Sequence, residues 1–300
     1  MTVIPQRPLG FGEILDGAIQ FYRRDFGLYF LIALVGALPG YAMVLAMGTP
    51  SPGIDASGNP DFGGVGFDGL VVLLAVAVSW VGTLAVAVAM RARLEGGPAS
   101  LESAYRGVLR PFPSAIGAHL LAILLTGIVG VALVILVMIL ALGLGAAGSF
   151  VLALVVLVPL SLVAALLVLA LWFSSTFAIL PAVLLEGRSA GAAIKRSFEL
   201  TRGARLRVLG IMLVVFAIQN AVSFGLFTFS GGLDMFTSPA TVGTVGGGWM
   251  ALQNTLDLLI GSLTGPFLVA TVFFLYHDRR VRLEASDLET TAAAMTLDGP

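Results

Sequence analysis

The sequence predicts an all-α integral membrane protein, a bundle of six transmembrane helices with three amphipathic helices on its cytoplasmic face. The first observation behind this prediction is composition: 58% of the 300 residues are hydrophobic and 11% are charged, whereas about a quarter are charged in a soluble domain. The second is that the apolar residues gather in six runs. Each run reaches the roughly 20 residues that are needed to cross a hydrocarbon core.

The third observation is that the basic residues lie on one side. All 16 Lys and Arg residues fall in the N-terminal stretch, in the second and fourth connections, or in the C-terminal segment. Because Lys and Arg near the ends of spans are retained in the cytoplasm, this pattern places both termini inside. The outer connections instead carry acidic residues, namely Asp55, Asp61, Asp68 and Asp234.

The apolar runs define the expected spans and one polytopic domain over residues 1–289, followed by a disordered tail over 290–300. The spans are expected at 26–47, 70–90, 116–142, 150–180, 208–229 and 250–276. The third and fourth are long enough to tilt or to project past the bilayer. No cleavable signal is expected, since the first run is too long for the apolar region of a signal peptide.

Three basic segments have apolar residues at helical spacing, which predicts amphipathic helices over 11–26, 100–110 and 189–202. Such helices rest in the headgroup layer with the apolar face toward lipid and Arg reaching water. Each ends in a comparable pair just before a span: Tyr22–Arg23, Leu109–Arg110 and Thr201–Arg202. This favours a threefold internal repeat of amphipathic helix, span, outer turn and span, with coincidental basic loops as the alternative.

Signals of catalysis and of cofactor binding are weak. The chain has no cysteine, and His119 and His277 are its only histidines, so we expect no structural zinc site and no thiolate chemistry. The segments Gly64–Gly69 and Gly143–Gly148 match GxGxxG but follow no strand, which the dinucleotide fingerprint requires. Since no acid–base or nucleophile constellation converges, we expect no enzymatic activity, cofactor, metal or nucleic-acid partner.

One acidic residue, Asp257, falls inside a span, with Gln219 and Asn220 at a similar depth in the preceding span. Ionisable groups within a membrane are costly and usually face the bundle or a water-filled cavity. We therefore predict a hydrogen-bonded cluster of Asp257, Asn220 and Gln219. It would act as a polar clamp between helices or as part of an ion or solute path.

Glycine and proline interrupt the first and sixth spans near mid-membrane. The motifs are Gly36-x-x-Pro39-Gly40 and Gly261-x-x-x-Gly265-Pro266. Small residues four apart allow helices to approach closely, which is one interpretation. The other is that both helices are broken, as in transporters that bind their substrate at the midplane.

Three motifs of the basic segments carry a family likeness. They are Arg7–Asp16 with Phe21–Phe26, Ala193–Gly203 with Arg207–Gly210, and Leu275–Glu284 with Asp287–Glu289. Together they resemble the glycerophosphoryl diester phosphodiesterase membrane-domain family over nearly the whole chain. The resemblance implies a protein of the bacterial inner membrane. It carries over no catalytic residue, since the phosphodiesterase reaction belongs to a separate barrel of about 250 residues.

The leading functional hypothesis is a non-catalytic scaffold or accessory protein whose basic cytoplasmic face binds anionic lipid or a membrane-protein partner. A basic residue near anionic headgroups gains about 1 kcal/mol. The candidate contact residues are Arg23, Arg24, Arg110, Lys195, Arg196 and Arg202. The alternative is a small-solute or lipid transporter that uses the first and sixth helices and Asp257.

The predicted topology can be tested with reporter fusions. Fusions at Asp61 and Asp234 should report an outside location, and a fusion at Arg196 should report the cytoplasm, because the basic segments are retained inside. Paired phosphatase and fluorescent-protein reporters measure both states. An outside signal at Arg196 would contradict the assignment.

Overall fold

The computed structural model describes residues 4, 5, 7–47, 62–146, 150–229 and 247–297, and all regular structure among them is helical. The predicted outer-loop residues Asp55, Asp61 and Asp234 lie outside this part of the chain. The helices are α1 (Phe11–Arg24), α2 (Phe26–Met47), α3 (Phe62–Leu94), α4 (Leu101–Val108), α5 (Phe112–Ala146), α6 (Phe150–Thr176), α7 (Ile179–Glu186), α8 (Ala190–Thr201), α9 (Arg205–Phe229) and α10 (Gly247–Leu297).

Six segments of the described chain are long and apolar enough to cross a membrane, and each overlaps a predicted span. They are Phe26–Ala46, Gly69–Leu94, Phe112–Gly143, Val155–Glu186, Arg205–Gly225 and Ala251–Glu284. Apolar side chains cover the outside of α5, where Ile128 and Val131 are 59% and 60% exposed. Soluble proteins rarely expose apolar surface of this kind. The prediction of a six-span all-α membrane protein is confirmed.

The chain forms two compact units that interleave in sequence. Unit 1 takes residues 1–5, 9–112 and 213–274, and unit 2 takes 6–8, 113–212 and 275–300. Both units draw on distant parts of the chain, so they are not consecutive domains. The single polytopic domain over 1–289 stays a prediction.

In unit 1, α2 and α3 approach closely through glycines. A Cβ atom on Gly82 would lie 2.9 Å from the Gly36 Cα atom, and one on Gly40 would lie 2.6 Å from Ser79 Oγ. Only a hydrogen atom fits where two helix backbones are this close. The first Gly/Pro motif therefore serves helix packing.

Of the two interpretations of the Gly/Pro motifs, the structure does not support broken first and sixth helices. Helix α2 continues through Pro39 and α10 continues through Pro266. Proline is tolerated inside membrane helices because neighbouring groups can satisfy the freed backbone. Near Pro266, the Tyr22 hydroxyl donates a hydrogen bond of 2.6 Å to the Leu263 carbonyl.

The amphipathic helices α1 and α4 form as predicted, but their apolar faces pack on protein rather than facing only lipid. In α1, Phe21 and Tyr22 are buried, and the Phe21 ring lies 6.1 Å from the Phe274 ring. In α4, Ser100 caps the helix by accepting from the Ser103 amide. The Tyr105 hydroxyl donates to the Ile32 carbonyl at 2.7 Å. These helices are thereby fastened to spanning helices of their own unit.

In unit 2 the predicted fourth span, 150–180, does not continue as one helix. Helix α6 ends at Thr176 and α7 begins at Ile179. Pro181 explains the break, since its ring clashes with the carbonyl four residues earlier and it lacks an N–H donor. Buried Ser197 of α8 bridges the gap: it accepts from the Ala178 amide at 3.3 Å and donates to the Ser174 carbonyl at 2.9 Å.

Helices α1 and α8 bury their residues in a similar pattern. The buried positions of α1 and α8 recur at the same intervals, as Ile14, Ala18, Phe21, Tyr22 and as Ala193, Ser197, Leu200, Thr201. Helix α4 buries only two residues, so the threefold repeat stays a prediction.

Helix α10 continues to Leu297, through most of the predicted disordered tail, because residues 291–297 contain helix formers and no glycine or proline.

The glycine contact gives a stability prediction. Gly36→Leu should destabilise the protein by about 1–3 kcal/mol or more, because the new side chain would meet the backbone of Gly82 and overpack the contact. Gly127→Leu is the matched control, since nothing lies within 4 Å of its Cβ position. Denaturant titration in detergent measures both. Equal unfolding midpoints for the two variants would contradict the assigned contact.

Candidate functional site

Exposed cations of unit 1 stand at the ends of α1 and α4. Arg23 and Arg24 form the last turn of α1, and Arg110 follows α4. All three are exposed. Within the described part of the chain, none of the three has a side-chain hydrogen bond or salt bridge. Their charge is therefore available to an external anion.

Unit 2 has a similar set around α8. Lys195, Arg202 and Arg205 are exposed and have no side-chain partner among the described residues. Arg196 differs, because its side chain is only 14% exposed and its Nε donates to Glu186 Oε1 at 3.1 Å. Arg196 was predicted to contact lipid or a partner, but its guanidinium instead pairs with Glu186 inside the protein.

Two of these cations are next to strongly exposed leucines. Leu109 is 79% exposed beside Arg110, and Leu206 is 84% exposed beside Arg205. An apolar side chain adjacent to a free cation suits the boundary between acyl chains and phosphate groups. A guanidinium also binds phosphate oxygens by charge-assisted hydrogen bonds.

Other cations are compensated by carboxylates four residues away along the chain. Arg91 pairs with Glu95 at 2.7 Å, Arg106 with Glu102 at 2.7 Å, and Arg280 with Glu284 at 2.6 Å. The basic surface is thus narrower than the number of basic residues implies. Its uncompensated members are Arg23, Arg24, Arg110, Lys195, Arg202 and Arg205, which we call the free cations.

Unit 2 also contains two carboxylates that the sequence analysis missed, Glu186, which is 13% exposed, and Asp278. Glu186 accepts hydrogen bonds from the Tyr276 hydroxyl and from Arg188 Nε at 2.8 Å, in addition to Arg196. Asp278 is fully buried and pairs with Arg282 at 2.9 Å. Each follows an apolar run with no spacing rule to mark it. Because their charges are compensated, both networks are structural.

The histidines show no metal site. His119 is buried and its Nδ1 lies 2.8 Å from the Ala115 carbonyl oxygen. Among the residues that the structure describes, no group of three or more His, Asp and Glu side chains could hold a metal ion.

A cavity of about 480 Å³ lies in unit 1 between α2, α3 and α10. Gly261 and Gly265 line it, and nothing lies within 4 Å of a Cβ atom built on either. The glycines of the second Gly/Pro motif therefore border a cavity, whereas Gly36 of the first motif is in close contact with α3. Volumes of this size are typical of sites for small molecules.

The predicted cluster of Asp257, Asn220 and Gln219 does not form. Asp257 and Asn220 line a common second cavity, but the Asn220 amide donates to the Phe216 carbonyl of its own helix at 2.7 Å. No hydrogen bond joins the three side chains. Helical depth was read correctly from the sequence, since Asn220 and Asp257 border the same space, but the Asn220 amide is bonded to its own helix. Asp257 also lines the cavity between α2, α3 and α10.

The Glu186 network gives a second stability prediction. Glu186→Gln should cost up to about 3 kcal/mol, because it leaves Arg196, whose side chain is 14% exposed, with only the Glu199 carboxylate at 3.9 Å as a counter-charge. Glu284→Gln is the control, since Glu284 is 52% exposed and such pairs contribute less than about 1 kcal/mol. Thermal unfolding in detergent compares them. If both variants unfold like the parent protein, the network does not stabilise the fold.

Comparison with known proteins identifies a family without assigning a role. No curated protein and no solved structure matches the chain. A family model described as a domain of unknown function, DUF7847, matches residues 17–278. The match covers the spanning helices together with the free cations and the cavity. The chain therefore belongs to the DUF7847 family.

Proposed function

We propose that this protein is a non-catalytic membrane scaffold or accessory protein that binds anionic lipids through its free cations. The observation that supports the proposal is that these cations are exposed and uncompensated among the described residues, while neighbouring basic residues are paired. The partner chemistry is a phosphate-bearing headgroup, which accepts several hydrogen bonds from guanidinium and ammonium groups.

Energetics favour a lipid surface as the ligand. Each Lys or Arg close to an anionic leaflet contributes about 1 kcal/mol, and a pair such as Arg23 and Arg24 would contribute about twice that. Exposed Leu109 and Leu206 would add apolar contact with acyl chains.

The side of the membrane is part of the proposal. Retention of Lys and Arg in the cytoplasm places α1, α4 and α8 on the inner surface of a bacterial cytoplasmic membrane, with both termini inside. The resemblance to the glycerophosphoryl diester phosphodiesterase membrane-domain family favours the same location. Membership of the glycerophosphoryl diester phosphodiesterase membrane-domain family is proposed, whereas membership of the DUF7847 family is shown by the match.

A second candidate function is transport of a small solute or lipid. The cavity between α2, α3 and α10 favours it, whereas the continuity of α2 and α10 removes the broken helices on which it first rested. Asp257→Ala should abolish transport if this function is correct, and it should leave lipid binding by the free cations unchanged.

Lipid binding is tested by neutralising free cations. The double variant Arg23→Gln/Arg24→Gln should bind phosphatidylglycerol about 30-fold more weakly, the factor expected from about 2 kcal/mol of lost attraction. Native mass spectrometry after lipid exchange measures the binding, and the loss should shrink as salt is raised.

The matched control is Arg91→Gln/Arg106→Gln, which removes the same charge from residues paired with Glu95 and Glu102. It should weaken phosphatidylglycerol binding less than threefold, because both arginines are already compensated. Equal losses in the two double variants would mean that only total charge matters. That outcome would overturn the assignment to free cations.

A further inference from the structure

The cavity between α2, α3 and α10 is elongated along the helices. On α10 its lining residues extend from Asn254 to Val269, which corresponds to about 22 Å at 1.5 Å per residue. The hydrocarbon core of a bilayer is roughly 30 Å thick. The cavity therefore follows the direction of a lipid chain over most of the core.

The lining changes in character along this length. Toward one end the lining is mainly apolar, with Ala33, Val86 and Val269. Toward the other end it includes the polar side chains of Tyr41, Ser79, Asn254 and Asp257 among apolar residues such as Val44 and Val76. This polarity matches an amphiphile that has a hydrocarbon chain and a single polar head.

The hydroxyls at the polar end are already satisfied within the protein. Tyr41 and Thr255 share a hydrogen bond of 2.6 Å, and Ser79 donates to the Ala75 carbonyl at 2.9 Å. Asn254 and Asp257 are not satisfied in this way, since neither has a side-chain partner among the described residues. They are three residues apart on α10 and so share one face.

The space exists because α10 has glycine where a side chain would fill it. Gly261 and Gly265 are four residues apart, which places them one above the other on the cavity face. The lining atoms of an empty space lose dispersion contacts, and acyl chains surround this protein in a membrane. A lipid chain is therefore the natural filling.

The head of the occupant follows from charge. Asp257 offers a carboxylate with no counter-charge among the described residues, and Asn254 offers amide donors beside it. A primary ammonium would pair with Asp257 through charge-assisted hydrogen bonds. A phosphate or ester oxygen of the same lipid would accept from Asn254. A quaternary ammonium has no N–H to donate, and an anionic head would be repelled.

We propose that this cavity binds one acyl chain of an amine-headed phospholipid, phosphatidylethanolamine, with its ammonium group on Asp257. The site is distinct from the free cations, which take anionic headgroups. It requires neither a scaffold nor a transport function, so it goes beyond both candidates above.

Filling the cavity tests the chain site. Gly261→Leu should reduce phosphatidylethanolamine retained on the purified protein at least about tenfold, a change of about 1.4 kcal/mol. Gly261→Ala should have a smaller effect, because it adds one methyl group. Gly265→Leu is an independent variant in case Gly261→Leu fails to fold. Gly127→Leu, at an open position outside the cavity lining, should leave retention unchanged.

Removing the charge tests the head site. The parent protein should prefer phosphatidylethanolamine over phosphatidylcholine, and Asp257→Asn should lose about tenfold of that preference, as expected for a charge-assisted hydrogen bond. Native mass spectrometry of protein equilibrated with defined mixtures of the two lipids gives both values. An unchanged preference in Asp257→Asn would overturn the assignment of the head, and retention unaffected by either leucine variant would overturn the site.

The double variant Arg23→Gln/Arg24→Gln separates this inference from the proposed function. It should keep phosphatidylethanolamine in the cavity while losing phosphatidylglycerol. If phosphatidylglycerol occupied the cavity instead, its retention would fall in Gly261→Leu, and the choice of an amine head would be wrong.

Discussion

Hydrogen bonds from hydroxyls to backbone carbonyls hold the amphipathic helices of this protein to its spanning helices. Tyr22 of α1 donates to Leu263, Tyr105 of α4 to Ile32, and Ser197 of α8 to Ser174. A helix carbonyl that faces lipid cannot accept a hydrogen bond from water. A side-chain hydroxyl that donates to this carbonyl is therefore stabilising. Burial raises the pKa of Tyr22 to about 12, so its hydroxyl stays protonated and keeps donating at physiological pH.

This fastening determines which basic residues remain available. Since α1 and α8 turn their buried faces to the protein, their other faces carry Arg23, Arg24 and Lys195 outward. Arg196 lies next to Lys195 in sequence but on the inward side, where it meets Glu186. Two neighbouring residues of α8 thus lie on different faces of the helix, where Arg196 stabilises the fold and Lys195 can reach a headgroup.

Composition and charge were sufficient to predict the class of fold, the six spans and the three amphipathic helices, because bilayer thickness fixes span length. Positions within the spans were harder. The sequence left open whether Pro39 and Pro266 break their helices, and α2 and α10 continue through them. Pro181 was overlooked although α6 ends before it. In lipid, the effect of proline depends on which neighbours serve the freed backbone, and sequence periodicity does not report those neighbours.

The candidate sites divide in the same way. One-sided charge was enough to name five of the six free cations, but Arg205 was missed, and the exclusion of Arg196 required its ion pair. The depth of Asp257 followed from counting residues, and Asp257 does share a cavity with Asn220. Counting residues could not show that the Asn220 amide donates to its own helix. The only sequence signal of the cavity was the pair Gly261 and Gly265, and its spacing could not be distinguished from that of a helix-packing motif.

The contact between Gly36 and Gly82 has a consequence for how such a chain can diversify. Two helices whose backbones touch form a wall that cannot move inward. The adjacent space can then be narrowed from the side of α10, because larger residues at Gly261 and Gly265 would not meet that contact. Exchanges at these two positions would change the bulk of the hydrocarbon chain that fits while α2 and α3 stay in contact.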